Sequence, residues 1–419
     1  MEKRITANET ITYTDWIDRS DKRGASEMMK KIKKWIAFVW IYLCNLLPIK
    51  QNKIMLFSYY GSNYGCNPKY ISQYINEHTA NPFDLVWAFN EPESKLELPH
   101  VRKVKNMSWR YFYEVCTAKV VITNYRTTDL FIKRKNQYYI QTWHSSLRLK
   151  QIEKDAENTL PASYLQMAKQ DAAKCDLVLS GCRFSTDIFK RAFWYDGEIF
   201  EHGTPRNDLL YQSGSRQRDH ILARLQLPKG KKLLLYAPTF RAGNHEVVYD
   251  LDYQPLSQVL KEKFGGEWLV LVKLHPHLSA ATKQFHDGEQ VIDVTLYDDV
   301  QELLLLADIL ITDYSSLMFD FAITKRPCFL YTPDLGQYVN AERGLYFTIT
   351  QLPFTYATNH QGLYGNIISF QTEVYQQDVV TFLDEVGSYE DGRASERLVK
   401  RLEEVCFDYK TRGDIYETV

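Results

Sequence analysis

ILITDYSSLMFDFAITKRPCFLY, residues Ile309–Tyr331, reads as a buried strand that passes directly into a helix. Ile309–Ile311 is an apolar run of strand type, and Thr312-Asp313-Tyr314-Ser315-Ser316 ends it. Leu317, Phe319, Phe321 and Ile323 then supply the apolar set of a helix. Two serines therefore stand where a strand gives way to a helix N-terminus. Free backbone N–H groups and the positive end of the helix dipole favour an anion at such a place. In an open parallel sheet, ligands gather at the carboxyl ends of strands. The segment reads as a phosphate or pyrophosphate seat for a nucleotide-activated donor, or as a helix start that Ser315 merely caps.

Working outward, the same alternation continues on both sides. Strands are predicted at Ile54–Ser58, Leu85–Ala88, Val120–Thr123, Tyr138–Thr142 and Leu177–Ser180. After a polar, charged stretch at Gln212–His220 they resume at Leu233–Tyr236, Trp268–Lys273, Val291–Val294, Ile309–Thr312 and Cys328–Tyr331. Helical patterns at Tyr70–Glu77, Trp109–Ala118, Tyr164–Lys174, Leu256–Phe264, Asp299–Ala307 and Leu317–Ile323 separate several of them. Strands alternating with helices argue for parallel βα units. The predicted class is α/β, with two doubly wound halves facing a cleft, a favoured place for ligands. The divisions are residues 1–50, a polar tail with an amphipathic helix; 51–215, a first half; and 216–419, a second half. A last helix, Ser395–Cys406, packs back across both halves.

A chain of 419 residues exceeds one ordinary core, which agrees with two units. The formal net charge of −1 gives no overall field for nucleic acid, so none is expected as a partner. The seven cysteines include no Cys-x-x-Cys pair, which argues against a zinc or dithiol motif and for reduced thiols in a cytosolic compartment. Met1–Glu27 is polar and charged, unlike a secretory signal. Lys30, Lys31, Lys33 and Lys34 precede WIAFVWIYLCNLLP, Trp35–Pro48. That run falls short of the roughly 20 residues that span a bilayer. Its basic flank and its aromatic residues suit a helix lying on an anionic leaflet, the other reading being a helix packed on the main body.

Four further segments carry chemistry. YIQTWHSSLRLKQI places His144 just past a strand, where an imidazole can serve as general base toward a hydroxyl or be structural. HGTPRNDLL, His202–Leu210, is a turn with Arg206, either a connection held by hydrogen bonds or a ligand contact. YAPTFR, Tyr236–Arg241, ends a strand with Thr239 and Arg241, whose guanidinium can clamp a phosphate or form a salt bridge. LVLVKLHPH, Leu269–His277, brings Lys273, His275 and His277 to a strand end. Either histidine can hydrogen-bond phosphoryl oxygens. No third ligand accompanies them, so no metal and no cofactor are expected.

QTWHSSLRLK, GTPRNDLL, APTFR, KLHPH, ITDYSSLMFDF, KRPCFLYTPDLGQY and RGLYF at Arg343–Phe347 occur in this order. Over roughly Asn52 to Phe347 the chain resembles the CDP-glycerol glycerophosphotransferase family, enzymes that prime or polymerise teichoic acid and related capsule polymers. The resemblance implies a GT-B-like pair of Rossmann-type domains, the first binding the acceptor and the second the donor. It implies transfer of an alditol phosphate from CDP-glycerol or CDP-ribitol to a hydroxyl of a polyprenyl-diphosphate-linked glycan or growing polymer, with release of CMP. It also implies peripheral attachment at the cytoplasmic face of the cell membrane. His144 matches the proposed general base. Arg241, His275, Ser315 and Ser316 match positions associated with the donor phosphates, and His275 joins His144 in the implied catalytic set. Lys273 would add positive potential and Asp313 would orient the cage or meet the ribose. Arg206, Thr239, His277 and Asp320 complete the implied substrate-binding set, and Asp320 and Glu342 are either donor contacts or surface carboxylates.

One departure stands out. Ser145-Ser146-Leu147 replaces the family's Gly-Thr-Pro after Trp-His, which alters the backbone freedom of that turn on the acceptor side. The absence of a large extra N-terminal domain points to a priming or short-chain role. The competing readings are a GT-B glycosyltransferase using a nucleotide sugar and a non-catalytic scaffold in polymer assembly, since a fold does not fix a function.

Overall fold

The computed structural model of the chain describes residues 27–95, 97–211, 215–241, 251–274, 290–341 and 344–407. Two parallel sheets organise them. The first holds β1 (Lys50–Phe57), β2 (Asp84–Phe89), β3 (Val101–Lys105), β4 (Ala118–Thr123), β5 (Tyr138–Gln141), β6 (Leu177–Leu179) and β7 (Glu198–Phe200). The second holds β8 (Lys232–Tyr236), β9 (Trp268–Val272), β10 (Val291–Asp293), β11 (Ile309–Thr312), β12 (Cys328–Tyr331) and β13 (Thr355–Ala357). Strand order is β3-β2-β1-β4-β5-β6-β7 in one and β10-β9-β8-β11-β12-β13 in the other. Both are doubly wound, with the order reversing between β1 and β4 and again between β8 and β11. Ile54 lies opposite Leu85 and Val120, and Leu310 opposite Cys328 and Leu235. These strands are buried on both faces, which is why they read as continuous apolar runs.

Three strands are absent from the sequence-based expectation. β3, VRKVK, is a charged edge strand, and its Arg102 pairs with Asp84 and Glu114. β7 and β13 span three residues each, too few to show a period.

Seven helices matter for the site: α1 (Glu27–Asn45), α2 (Cys66–His78), α3 (Trp109–Thr117), α4 (Arg183–Ala192), α5 (Val300–Leu306), α6 (Leu317–Ala322) and α7 (Ala394–Phe407). One face of α1 enters the first core through Ile41 and Cys44, beside Phe112 and Val115 of α3. Trp40 Nε1 donates to the Trp109 carbonyl at 3.0 Å. The opposite face leaves Trp35, Tyr42, Leu43 and Leu46 at 67, 62, 53 and 81% exposure. Their spacing keeps them on one side of the helix. Among the described residues, no helix is long and apolar enough to cross a membrane. α7 returns to the first sheet, burying Leu398, Val399 and Leu402 with Ile54 and Ile71. Asp208 fixes its start by accepting the Ala394 and Ser395 N–H groups at 3.0 and 2.7 Å.

The halves are wired together. Lys69 and Tyr70 of α2 reach Asp299 across the cleft at 2.5 and 2.6 Å, and Lys69 also meets Glu302 at 2.7 Å. The loop after β5 crosses over bodily, because Leu147 and Leu149 belong to the apolar core of the second sheet. The Tyr346 N–H donates to the Leu149 carbonyl at 2.8 Å and the Gln151 N–H to the Gly344 carbonyl at 2.8 Å.

Candidate functional site

The second sheet's reversal point lies between β8 and β11, and its two exits carry Thr239-Phe240-Arg241 and Asp313-Tyr314-Ser315-Ser316. Asp313, fully buried, organises both. Its carboxylate accepts the Thr239 N–H at 2.9 Å, the Thr239 hydroxyl at 2.6 Å and Arg241 Nη2 at 2.8 Å. Arg241 Nε donates to Asp334 at 2.7 Å and Nη1 to the Thr239 carbonyl at 2.7 Å. The Arg241 guanidinium also lies over the Tyr338 ring at 4.5 Å, and Tyr338 stacks on Tyr314 at 3.7 Å. Two carboxylates hold the charge of Arg241, so it braces the strand ends. Asp313 thus ties the exit of β11 to that of β8.

Ser315 and Ser316 are half-buried at the head of α6. The Leu317 N–H donates to Ser315 Oγ at 3.3 Å, so Ser315 does cap the turn. Ser316 is the N-cap by backbone position and makes no side-chain cap bond. Lys273 follows β9, and its ammonium donates to the Thr295 and Tyr297 carbonyls at 2.7 Å each. Burial lowers its pKa to about 8, against the pull of Asp298 and Asp299. His275, His277 and Glu342 lie outside the described residues. Among those described, no group of three or more His, Cys, Asp or Glu residues is placed to hold a metal.

His144 is exposed at the end of β5, on the first side of the cleft. Its Nδ1 lies 3.3 Å from the Asn124 carbonyl, which follows β4. A carbonyl only accepts, so in this contact Nδ1 carries the proton and Nε2 keeps the lone pair. The preceding Trp143 turns the chain with φ +52°, uncommon for a bulky residue. Neighbours hold it there: Gln141 Oε1 accepts its N–H at 3.0 Å, and Asn67 Nδ2 donates to its carbonyl at 3.2 Å. The His144 ring stacks on the Trp143 indole at 4.6 Å, and the Arg126 guanidinium lies 5.9 Å from the same indole.

The His202–Leu210 turn resolves as a connection. Thr204 donates to Glu390 through its hydroxyl at 2.7 Å and its N–H at 3.1 Å. Arg206, 2% exposed, pairs with Asp320, which is wholly buried on α6. Asn207 Nδ2 donates to Asp320 and Glu390 at 3.2 and 3.1 Å, and Asn207 Oδ1 accepts from Gln301 Nε2 at 2.6 Å. Arg206 and Asp320 are thus each other's partners, because each buried charge requires the other. Burial pushes the Glu390 carboxyl up to about 8.

Sequence reasoning missed Asp334, Asn67, Asn124, Asn207 and Glu390. Asp334 lay inside a quoted motif, KRPCFLYTPDLGQY, without a local sign of its role. The others meet their partners only through the fold, across as many as 186 positions for Glu390 and Thr204.

A family model described as CDP-Glycerol:Poly(glycerophosphate) glycerophosphotransferase matches residues 40–404. A teichoic acid poly(glycerol phosphate) polymerase of Staphylococcus epidermidis is 34% identical over 365 residues, covering 84% of this chain and 50% of that protein. The chain therefore spans half the length of that relative. A teichoic acid glycerol-phosphate transferase of Staphylococcus aureus is 31% identical over 392 residues, covering 89% of this chain and 98% of the other. A solved structure of the wall teichoic acid polymerase TagF superposes with TM-score 0.79 at 31% identity, covering 91% of this chain and 96% of that one.

Proposed function

Because this chain belongs to the CDP-glycerol:poly(glycerophosphate) glycerophosphotransferase family, we propose that it transfers glycerol phosphate, or ribitol phosphate, from a CDP-alditol to an acceptor hydroxyl and releases CMP. One observation carries the reading. The loop bearing His144 is bonded, through Ser146, to the helix that begins at Ser315-Ser316. That bond supports a scheme in which a base and a phosphate seat act on one substrate pair.

In this scheme His144 Nε2 takes the proton of the acceptor hydroxyl. The acceptor oxygen bonds to the donor's β-phosphorus as the bond from that phosphorus to the oxygen of CMP breaks, and CMP leaves with the electron pair. Ser315, Ser316 and Lys273 meet the charge that develops on the phosphates, a part the family resemblance also assigns to His275. Arg241, Asp313 and Thr239 keep the two strand ends at a fixed separation. The proposed acceptor is a hydroxyl of a polyprenyl-diphosphate-linked glycan or growing polymer. Incubation with CDP-glycerol, CDP-ribitol and sugar nucleotides, with detection of the released nucleotide, tests the reading. CMP from a CDP-alditol supports it; a nucleoside diphosphate released from a sugar nucleotide overturns it.

The same proposal places α1 on the cytoplasmic leaflet. Support comes from the exposed Trp35, Leu43 and Leu46 and from Lys31 and Lys33 beside them. Co-sedimentation with phosphatidylglycerol vesicles should fall at least tenfold in Trp35→Glu/Leu43→Glu, at the roughly 0.8 kcal/mol lost per unburied CH₂. Unchanged sedimentation would remove the helix from this role.

A further inference from the structure

We propose that Asp320 and Ser146 are positioning residues that set the His144 loop against the donor seat; this deepens the transferase reading and rests on it. Asp320 sits one turn beyond Ser316 on α6 and is fully buried. It receives donors from elements on both sides of the cleft. Ser146 Oγ, two residues after His144, reaches Oδ1 at 3.2 Å. Asn207 Nδ2 reaches the same oxygen at 3.2 Å. Arg206 Nη2 and Gln301 Nε2 engage Oδ2, the latter at 3.4 Å. A carboxylate offers about four acceptor positions, so this set occupies it with protein donors.

Next to Ser146, Leu147 is buried in the core of the second half. One polar bond and one apolar anchor, adjacent in sequence, thus attach the base-bearing loop to the helix of the phosphate seat. Gly181 makes the close fit possible: a Cβ there would lie 2.5 Å from Ser146 Cβ. The departure from Gly-Thr-Pro keeps a hydroxyl at the position that meets Asp320. Catalysis by proximity is steep in distance, and a displacement of about 1 Å costs about 100-fold. The Ser146 hydroxyl is therefore a control on turnover rather than on donor affinity.

The test uses the full chain and Ser146→Ala, which removes the hydroxyl and adds no bulk. Expected is a 10- to 100-fold lower kcat for CMP release with KM for CDP-glycerol within about twofold, the pattern of lost alignment. Asp320→Asn should behave likewise, and the double variant should lose no more than the larger single loss. A kcat within twofold of the unaltered chain, a parallel rise in KM, or additive losses would overturn the proposal. A second readout does not depend on activity. Amide hydrogen exchange at residues 143–149 should quicken about tenfold in Ser146→Ala, with residues 309–312 unchanged. If the unaltered chain released no CMP, the transferase reading would fail, and the exchange result alone would decide the positioning claim. Unchanged exchange would end it.

Discussion

The two sides of the cleft solve opposite problems. On the second side, Thr239, Arg241, Asp313 and Asp334 satisfy one another and leave no net positive charge for a phosphate. On the first side, His144 is exposed at the end of a strand, turned by a left-handed Trp143 and oriented through a backbone carbonyl. The comparison teaches that guanidinium and carboxylate at strand ends build the shape of the second side. On the proposed reading, meeting charge falls to the helix start and Lys273, while the first side keeps one reactive group in the open.

The largest effect should come from the exposed side. His144→Ala should lower kcat about 10³-fold, within the 10²–10⁴ range of general-base catalysis, and leave CDP-glycerol affinity near normal by calorimetry. Near-normal turnover would remove the contrast between a reactive side and a shaped side. On the shaped side, Asp313→Ala should act through stability. It leaves Arg241 with one carboxylate in a buried setting and should cost about 3 kcal/mol in chemical denaturation, with weaker CDP-glycerol binding as a consequence. A variant as stable as the parent that had lost only binding would make Asp313 a ligand contact instead.

Lys273 sharpens the comparison further, since its ammonium follows β9 and meets the Thr295 and Tyr297 carbonyls. Its pKa is lowered to about 8, so it is charged at neutral pH and loses its charge as pH rises through 8. KM for CDP-glycerol should therefore rise between pH 7.5 and 9, by about tenfold for one charged hydrogen bond. Lys273→Met should show the raised KM at every pH and no inflection near 8. A parent profile without that inflection would mean that Lys273 does not face the donor.

The sequence disclosed the strands that matter because both faces of each are buried, leaving unbroken apolar runs such as Leu233–Tyr236 and Ile309–Thr312. β3 escaped because an edge strand needs its charges, and β7 and β13 because three residues show no period. At the site, residue types at strand ends did not disclose their partners within the fold. Arg206 and Arg241 look alike as phosphate ligands until Asp320 and Asp313 appear opposite them. Those pairings span 114 and 72 positions, and no local pattern encodes them. His144 was legible as a chemical group, but its orientation was not, because that depends on the Asn124 carbonyl.

The smallest expected effect concerns the seam between the two sides. Glu390 accepts from Thr204 and Asn207 there, and burial raises its carboxyl from 4.5 to about 8. The folded chain thus keeps a proton that the unfolded chain releases above 4.5. The stability this proton confers is complete below pH 4.5 and is lost as pH rises through 8. Glu390→Gln mimics the protonated form at all pH values and preserves the carbonyl that accepts from Thr204 and Asn207. The stability of the parent should fall relative to Glu390→Gln by about 1 kcal/mol between pH 7 and 8, within the roughly 1.4 kcal/mol that one pH unit of linkage supplies. Ser146, Asp320 and Asn207 link the His144 loop to Glu390, so the loosening should reach turnover as a modest loss above pH 8 that the Gln variant lacks. Parallel unfolding curves for parent and variant across this span would show that the seam does not titrate.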